Sequence, residues 1–360
     1  MQAKPAYLIL ANGTVFAGQS FGCEADTVGE ICFTTSMTGY LETLTDPAYC
    51  GQILVQTFPL IGNYGVIPSD LESAAPSLRA YIVRDLCQEP SNFRCEGHLD
   101  VFLSEHKVVG LCGIDTRRLT RIIREAGTMN AKIVHELPSD LTAVISELNA
   151  YKPGNPVMEV TAREMAVYKP EEILKKVVLW DFGAQACARR ALVERGCEVT
   201  VVGASAAAED ILALNPDGIL LSNGPGDPRI QADLIAEIKK LAEKNLPMFG
   251  IGLGHILLAL SQGAGCDKLK PGHRGGQPVI RLEDNRVFIT SQNQGYTVCP
   301  DSLPDGCRIS YKNGNDGTVE GLKYDNLPAF SVSFYPGTAG GPIATDFLYD
   351  RFIAMMKEAN

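Results

Sequence analysis

Histidine is scarce in this chain of 360 residues: there are five, His98, His106, His135, His255 and His273, and no HExxH pair among them. The eleven cysteines are odd in number and scattered, and none stands in a CxxC pair. A zinc cluster or a disulfide framework needs paired spacing, so both are excluded as readings. The thiols are expected as small buried hydrophobes in a reducing cytoplasm. No GxxxxGK[ST] run occurs, so no nucleotide-phosphate loop is recognisable. The longest apolar run, Met248 to Leu260, has 13 residues and contains His255, too short to span a bilayer. The opening MQAKPAYLILANG shows neither a basic n-region nor an h-region before a cleavage site, and secretion is not expected. An excess of positive charge is also missing. Thirty-two Lys and Arg against 42 Asp and Glu leave −10, which argues against nucleic acid or an anionic membrane as partner.

What is present describes an ordinary folded chain, 45% hydrophobic and 21% charged, of a length that suggests two domains. Residues 1–152 read as mixed β and α. Tyr7 to Leu10 is expected as a strand ending at an Asn12-Gly13 turn, Gln52 to Thr57 and Lys107 to Leu111 as further strands. A helix is predicted after Asp115-Thr116, with Leu119, Ile122 and Ile123 at helical spacing and Gly127 as its stop. Turn residues from Lys152 to Pro156 and a polar stretch to Lys176 mark a linker over 153–176. From 177 to 360 the rhythm changes. Strands Val177–Trp180, Glu198–Val202, Gly218–Ser222 and Pro247–Ile251 alternate with helices Ala184–Arg195, Ala207–Leu214, Ile230–Lys244 and one opening at His255. This pattern predicts an α/β domain with a mostly parallel sheet flanked by helices, whose ligand crevice lies at the carboxyl ends of the strands.

Two of those strand ends are rich in glycine: Ser222-Asn-Gly-Pro-Gly-Asp-Pro228 and Phe249-Gly-Ile-Gly-Leu-Gly-His255. The second has the form of a nucleophile elbow, a tight strand-to-helix turn that lifts one residue above the sheet. On spacing alone the plainer reading, a glycine-rich helix start packed closely on the sheet, is favoured over it.

Further motifs run through the chain in order. The first domain carries Thr35-Ser-Met-Thr-Gly-Tyr-Leu-Glu-Thr-Leu-Thr-Asp-Pro47, Phe58-Pro-Leu-Ile-Gly-Asn-Tyr-Gly65, Pro90-Ser-Asn-Phe-Arg94 and Ile114-Asp-Thr-Arg-Arg-Leu-Thr-Arg121. The second carries Asp181-Phe-Gly183, Ser222 to Pro228, the elbow, Gly272-His-Arg-Gly-Gly276 and Gln292-Asn-Gln-Gly295. With these motifs the chain resembles the small subunit of glutamine-hydrolysing carbamoyl-phosphate synthase, and its C-terminal half resembles a class I glutamine amidotransferase domain. The resemblance implies a small-subunit N-terminal domain followed by an amidotransferase-like domain, docked on a large subunit that binds ATP and bicarbonate. No cofactor is implied for this chain itself.

The resemblance also implies a Cys-His-Glu triad, with the cysteine at an elbow reading Gly-Ile-Cys-Leu-Gly-His-Gln and the other two in a His-Pro-Glu sequence. Here those three positions are Gly252, Tyr335 and Gly337. Glycine offers no nucleophile, and tyrosine, with an ordinary pKa of about 10, is a poor base near neutrality. Glycine also orients nothing. Two positions expected to hold glutamine have become apolar, Ala48 for a serine and Ile256 for a glutamine. Leu253 and the positions Gly224, Gly226, Asn293, Gly295 and Tyr296 match the rest of the family's glutamine pocket. Gln294 stands where the family often has histidine and Gln185 where it often has lysine. His255 is expected as a scaffold residue bonding neighbouring backbone, and none of Cys187, Cys197, Cys266, Cys299 and Cys307 falls at the elbow.

Five altered positions converging on one pocket point to loss of glutaminase chemistry with the architecture kept. Three functions are therefore weighed, in this order. The first is a glutaminase-deficient small subunit acting as a structural or allosteric partner of an ammonia-using large subunit in the cytoplasm, in the synthesis of carbamoyl phosphate for pyrimidines or arginine. The second is a free-standing protein that binds a small molecule, or glutamine weakly, in the former pocket. The third is an active amidotransferase subunit with unrecognised catalytic groups.

Overall fold

In a computed structural model, residues 4–337 and 341–358 are described, and they form two compact units, Met1–Pro156 and Val157–Asn360. In the first, seven strands close into a barrel: β1 (Pro5–Leu10), β2 (Val15–Gly22), β3 (Thr27–Thr34), β4 (Gln52–Gln56), β5 (Ala80–Ile82), β6 (Val109–Cys112) and β7 (Met129–Val134). Their order around the barrel is β1-β2-β6-β5-β4-β3-β7. The four neighbours β3, β4, β5 and β6 are parallel, and the others complete the barrel antiparallel. Strand β4 is apolar at consecutive positions because both of its faces are covered: Ile53 and Val55 enter one core cluster and Leu54 another. Helix α1 (Leu99–Glu105) packs on the second cluster, and α2 (Thr116–Ala126) lays Leu119 and Ile123 on the first. Asp115 starts α2 by accepting a hydrogen bond from the Arg118 amide, 2.9 Å, as its sequence position predicts. Helix α3 (Leu141–Ala150) covers β1 and β7.

The second unit is built on a ten-stranded sheet. Its strands are β8 (Ala166–Tyr168), β9 (Lys175–Asp181), β10 (Cys197–Gly203), β11 (Gly218–Leu221), β12 (Met248–Ile251), β13 (Cys266–Arg281), β14 (Arg286–Val298), β15 (Cys307–Asn313), β16 (Val319–Tyr324) and β17 (Ala329–Val332). They lie in the order β8-β10-β9-β11-β12-β17-β16-β15-β13-β14. Strands β10, β9, β11, β12 and β17 run parallel, and this half is the α/β unit expected from the alternating pattern. Its helices are α4 (Ala186–Val193), α5 (Ala208–Ala213), α6 (Ala232–Ala242), α7 (Leu253–Ser261) and α8 (Phe347–Glu358). Alternate residues of β9 enter opposite cores, Val178 and Trp180 on one face, Val177 and Leu179 on the other. Strands β13 to β16 form an antiparallel half that extends the sheet. The 153–176 stretch, read as a linker, contains a helical turn at Val157–Val160 and strand β8, which pairs antiparallel with β10.

Strand β11 and helix α7 meet so closely that Gly254 has no room for a side chain. A Cβ there would stand 2.3 Å from the Leu221 carbonyl oxygen of β11. Gly254→Ala is expected to destabilise the second unit by about 1–3 kcal/mol or more, because neither backbone can yield cheaply. Urea denaturation of the full chain measures it, and an unchanged midpoint would show that the elbow helix is free to shift.

Candidate functional site

The elbow is the turn between β12 and α7. Strand β12 is fully buried, and the chain reverses at Gly252 with φ 57° and ψ −113°. This left-handed backbone is strained for any residue with a Cβ. The Gly252 amide donates to the Val332 carbonyl at 2.9 Å, and the Gly254 amide to the Ser222 carbonyl at 2.9 Å, which fixes the turn between two neighbouring strand ends.

Those strand ends are pinned by a polar network. Asp181 accepts from the amides of Gly183 (2.8 Å), Ala184 (2.6 Å) and Ala162 (2.7 Å), while burial of its carboxyl raises the pKa above the ordinary aspartate value. Ser222 Oγ accepts from the Phe182 amide and donates to the Asn223 carbonyl, both 2.8 Å. Asn223 Nδ2 donates to the Gly183 carbonyl at 3.0 Å. Gly224 runs against the Phe182 carbonyl, and Gly226 turns the loop at φ 90°.

The structure brings Gly252 and Tyr335 together. A Cβ added at Gly252 would stand 3.0 Å from Asn223 Cβ and 3.7 Å from Tyr335 Cε1. Tyr335 is 6% exposed and anchored by its amide, which donates to the Ser291 carbonyl at 2.9 Å. Gly337 adopts φ 75°, and a Cβ there would meet Asp346 Oδ1 at 3.1 Å. That carboxylate is already held by Arg195, Nη2 to Oδ2 2.5 Å.

The remaining predicted pocket positions separate into three groups. Leu253 and Ile256 are buried in the hydrophobic core under α7. Asn293, Gly295 and Tyr296 lie on β14, where the Arg229 guanidinium sits 5.2 Å above the Tyr296 ring and pairs with Asp227 at 2.6 Å. Ala48 belongs to the first unit, in a 3-10 turn where its amide donates to Asp46 Oδ1 at 3.0 Å.

His255 is fully buried. Its Nδ1 lies 2.8 Å from Ser331 Oγ, so its partner is a side chain and not the backbone expected from sequence, and Nε2 has no partner. Burial holds its pKa down at about 3, which keeps the ring neutral. None of the eleven cysteines forms a disulfide among the described residues. Burial pushes the thiols of Cys197, Cys266, Cys299 and Cys307 up to about 11, so these remain protonated near neutrality.

One polar cluster was not singled out from the sequence. Glu320 on β16 is fully buried and receives Asn313 Nδ2 at 3.0 Å, Gln294 Nε2 at 3.3 and 3.4 Å, and a short hydrogen bond from the Ser333 hydroxyl. His273 on β13 bridges it to Asp316, with Nδ1 3.1 Å from Glu320 and Nε2 2.8 Å from Asp316. Burial works against the charged imidazole, but the two carboxylates outweigh it and raise the His273 pKa above the ordinary value. The clue in the sequence was weak: His273 and Glu320 are 47 residues apart, and pairing through β15 brings their strands together. Among the described residues no group of three or more His, Cys, Asp or Glu is placed to hold a metal ion, and no helix is long and apolar enough to cross a membrane.

Residues 8–133 match the model of the carbamoyl-phosphate synthase small chain CPSase domain, and residues 178–355 match class I glutamine amidotransferase. The carbamoyl phosphate synthase small chain of Clostridium perfringens is 49% identical over 354 residues, covering 98% of this chain and 99% of that one. The Bacillus cereus small chain is 45% identical over 352 residues, 97% of this chain and 95% of that one. The pyrimidine-specific small chain of Bacillus subtilis shows the same identity and coverage. On full-length similarity and on both domain matches, this chain belongs to the carbamoyl-phosphate synthase small chain family.

Proposed function

We propose that this chain is a small subunit that does not hydrolyse glutamine and that serves as a structural or allosteric partner of a large synthetase subunit running on free ammonia. The observation that carries this reading is the composition of the elbow. Position 252 is a glycine at φ 57°, its neighbour across the turn is the Tyr335 ring, and position 337 is a second glycine. Attack on a carboxamide needs a nucleophile, a base that takes its proton, and a group that orients the base. A phenol beside an empty Cβ position supplies none of them. The neutral, buried His255 and the His273 ring engaged by two carboxylates are occupied structurally. The full-length similarity to small chains supports retained docking on a large subunit, and an intact barrel unit is compatible with that role.

The test is ammonia release from glutamine, measured for the purified chain alone and with a cognate large subunit, ATP and bicarbonate. No glutamine-derived ammonia is expected, while added ammonium supports carbamoyl phosphate formation by the pair. Glutamine turnover would overturn the reading and send the search to another nucleophile.

A further inference from the structure

The first unit contains a cavity of about 370 Å³ at one end of its barrel. Its walls come from the carboxyl ends of all four neighbouring parallel strands. Thr35 follows β3, Thr57 and Phe58 follow β4, Arg84 lies two residues past β5, and Thr116 and Arg117 open α2 after β6. The carboxyl ends of parallel strands are where side chains from several loops converge, and a following helix directs its positive end to the same place. The volume lies at the small end of the range for sites that enclose a small molecule.

The lining specifies the kind of molecule. Two guanidiniums, Arg84 and Arg117, border the cavity. Arg117 has no ion pair among the described residues, and Arg84 has only a loose one, Nε to Asp85 at 3.7 Å between two exposed side chains. In a chain of net charge −10 this is a local concentration of unneutralised positive charge. The capping carboxylate, Asp115, is engaged by the Arg118 amide. Independently of the helix end, Thr116 is only 2% exposed, lines the cavity, and its hydroxyl has no hydrogen-bond partner among the described residues. Its oxygen is not among the buried polar atoms left without a partner, so solvent or a molecule in the cavity can meet it. Met37 and Phe58 add apolar surface to the same lining. Neither arginine nor Thr116 has a part in the elbow chemistry of the second unit.

We propose that this cavity binds a small organic anion, with a phosphate or carboxylate head on Arg84, Arg117 and the Thr116 hydroxyl and an apolar body against Met37 and Phe58. Arginine forks suit either head group, since both offer two coplanar acceptor oxygens. Charge-assisted hydrogen bonds of this kind carry about tenfold or more in affinity each.

Phenyl phosphate, benzoate and inorganic phosphate are titrated calorimetrically into the full-length chain. Saturable binding of phenyl phosphate or benzoate, tighter than that of inorganic phosphate, is expected, and the tighter of the two aromatic anions identifies the head group. Arg84→Gln with Arg117→Gln should weaken binding at least about tenfold, and Arg84→Lys with Arg117→Lys should weaken it less. Both arginines are exposed, so these variants are expected to keep the native melting profile, which is recorded as a control. Absence of saturable binding by either aromatic anion would overturn the proposal. So would binding that survives the double glutamine substitution, or that is lost equally in the lysine pair.

Discussion

Gly252→Cys will release no more ammonia from glutamine than the unaltered chain, and it will be less stable by about 1–3 kcal/mol. Restoring the thiol supplies one of three parts. In triad enzymes the nucleophile and base act as a unit, and loss of either costs about 10⁶-fold in turnover, nearly as much as loss of all three. On the proposed reading, which puts Tyr335 where a base and Gly337 where its orienter would stand, the new thiol stays near its ordinary pKa of about 8.5 and is mostly protonated at neutral pH. The stability cost has a separate cause. The backbone at 252 is left-handed, and the new Cβ would stand 3.0 Å from Asn223 Cβ, so Asn223, tied to the Gly183 carbonyl, must give way. Ammonia release with and without the large subunit, together with urea denaturation, checks both halves. Glutamine turnover in this single variant would mean that a base stands near the elbow that neither Tyr335 nor His255 accounts for.

His273→Ala is expected to destabilise the second unit by about 3–5 kcal/mol, because it leaves the fully buried Glu320 carboxylate without its cationic partner. His273→Ala with Glu320→Gln should recover part of that loss, since the amide needs no counter-charge and still meets Asn313, Gln294 and Ser333. The pH dependence follows from the raised pKa of His273. In the unfolded chain the ring titrates at about 6.5, and in the folded chain at a higher value, so protons are held more tightly by the native state. The pairing contribution is therefore complete below about pH 6.5 and fades as pH rises through the folded pKa. Asp316, held below the ordinary aspartate value in spite of partial burial by Thr318 and His273, contributes in the opposite sense and is lost only on strong acidification. Urea denaturation of the unaltered chain and of the double variant at about pH 6 and about pH 9 should show a falling advantage for the unaltered chain at the higher pH. An advantage that grows with pH would exclude the charged imidazole as the stabilising form.

Much of the parallel half of the second unit was legible along the chain, as was helix α2 of the first. Strands such as Val177 to Trp180 and helices such as the one after Asp115 signal themselves through neighbours in sequence: apolar runs, helical spacing, a capping aspartate, a stopping glycine. The antiparallel half was not. Strands β13 and β14 are long and carry polar residues, lysines, glycines and two prolines, so neither alternation nor a buried run marks them; pairing over 266–298 defines them. The barrel closure was equally hidden, because it depends on β7 returning to β1 from more than 100 residues away.

At the elbow the residue type alone decided that position 252 offers no nucleophile, since a glycine has none in any fold. Only the tertiary structure decided what stands there instead: the Tyr335 ring against the turn, Asp346 beside Gly337 but bound to Arg195, and Ile256 in the core. The same division holds for the buried Glu320–His273–Asp316 bridge and for the cavity with Arg84 and Arg117. Composition and local periodicity act through covalent neighbours, whereas charge pairing and cavity walls act through space between residues that chain topology brings together.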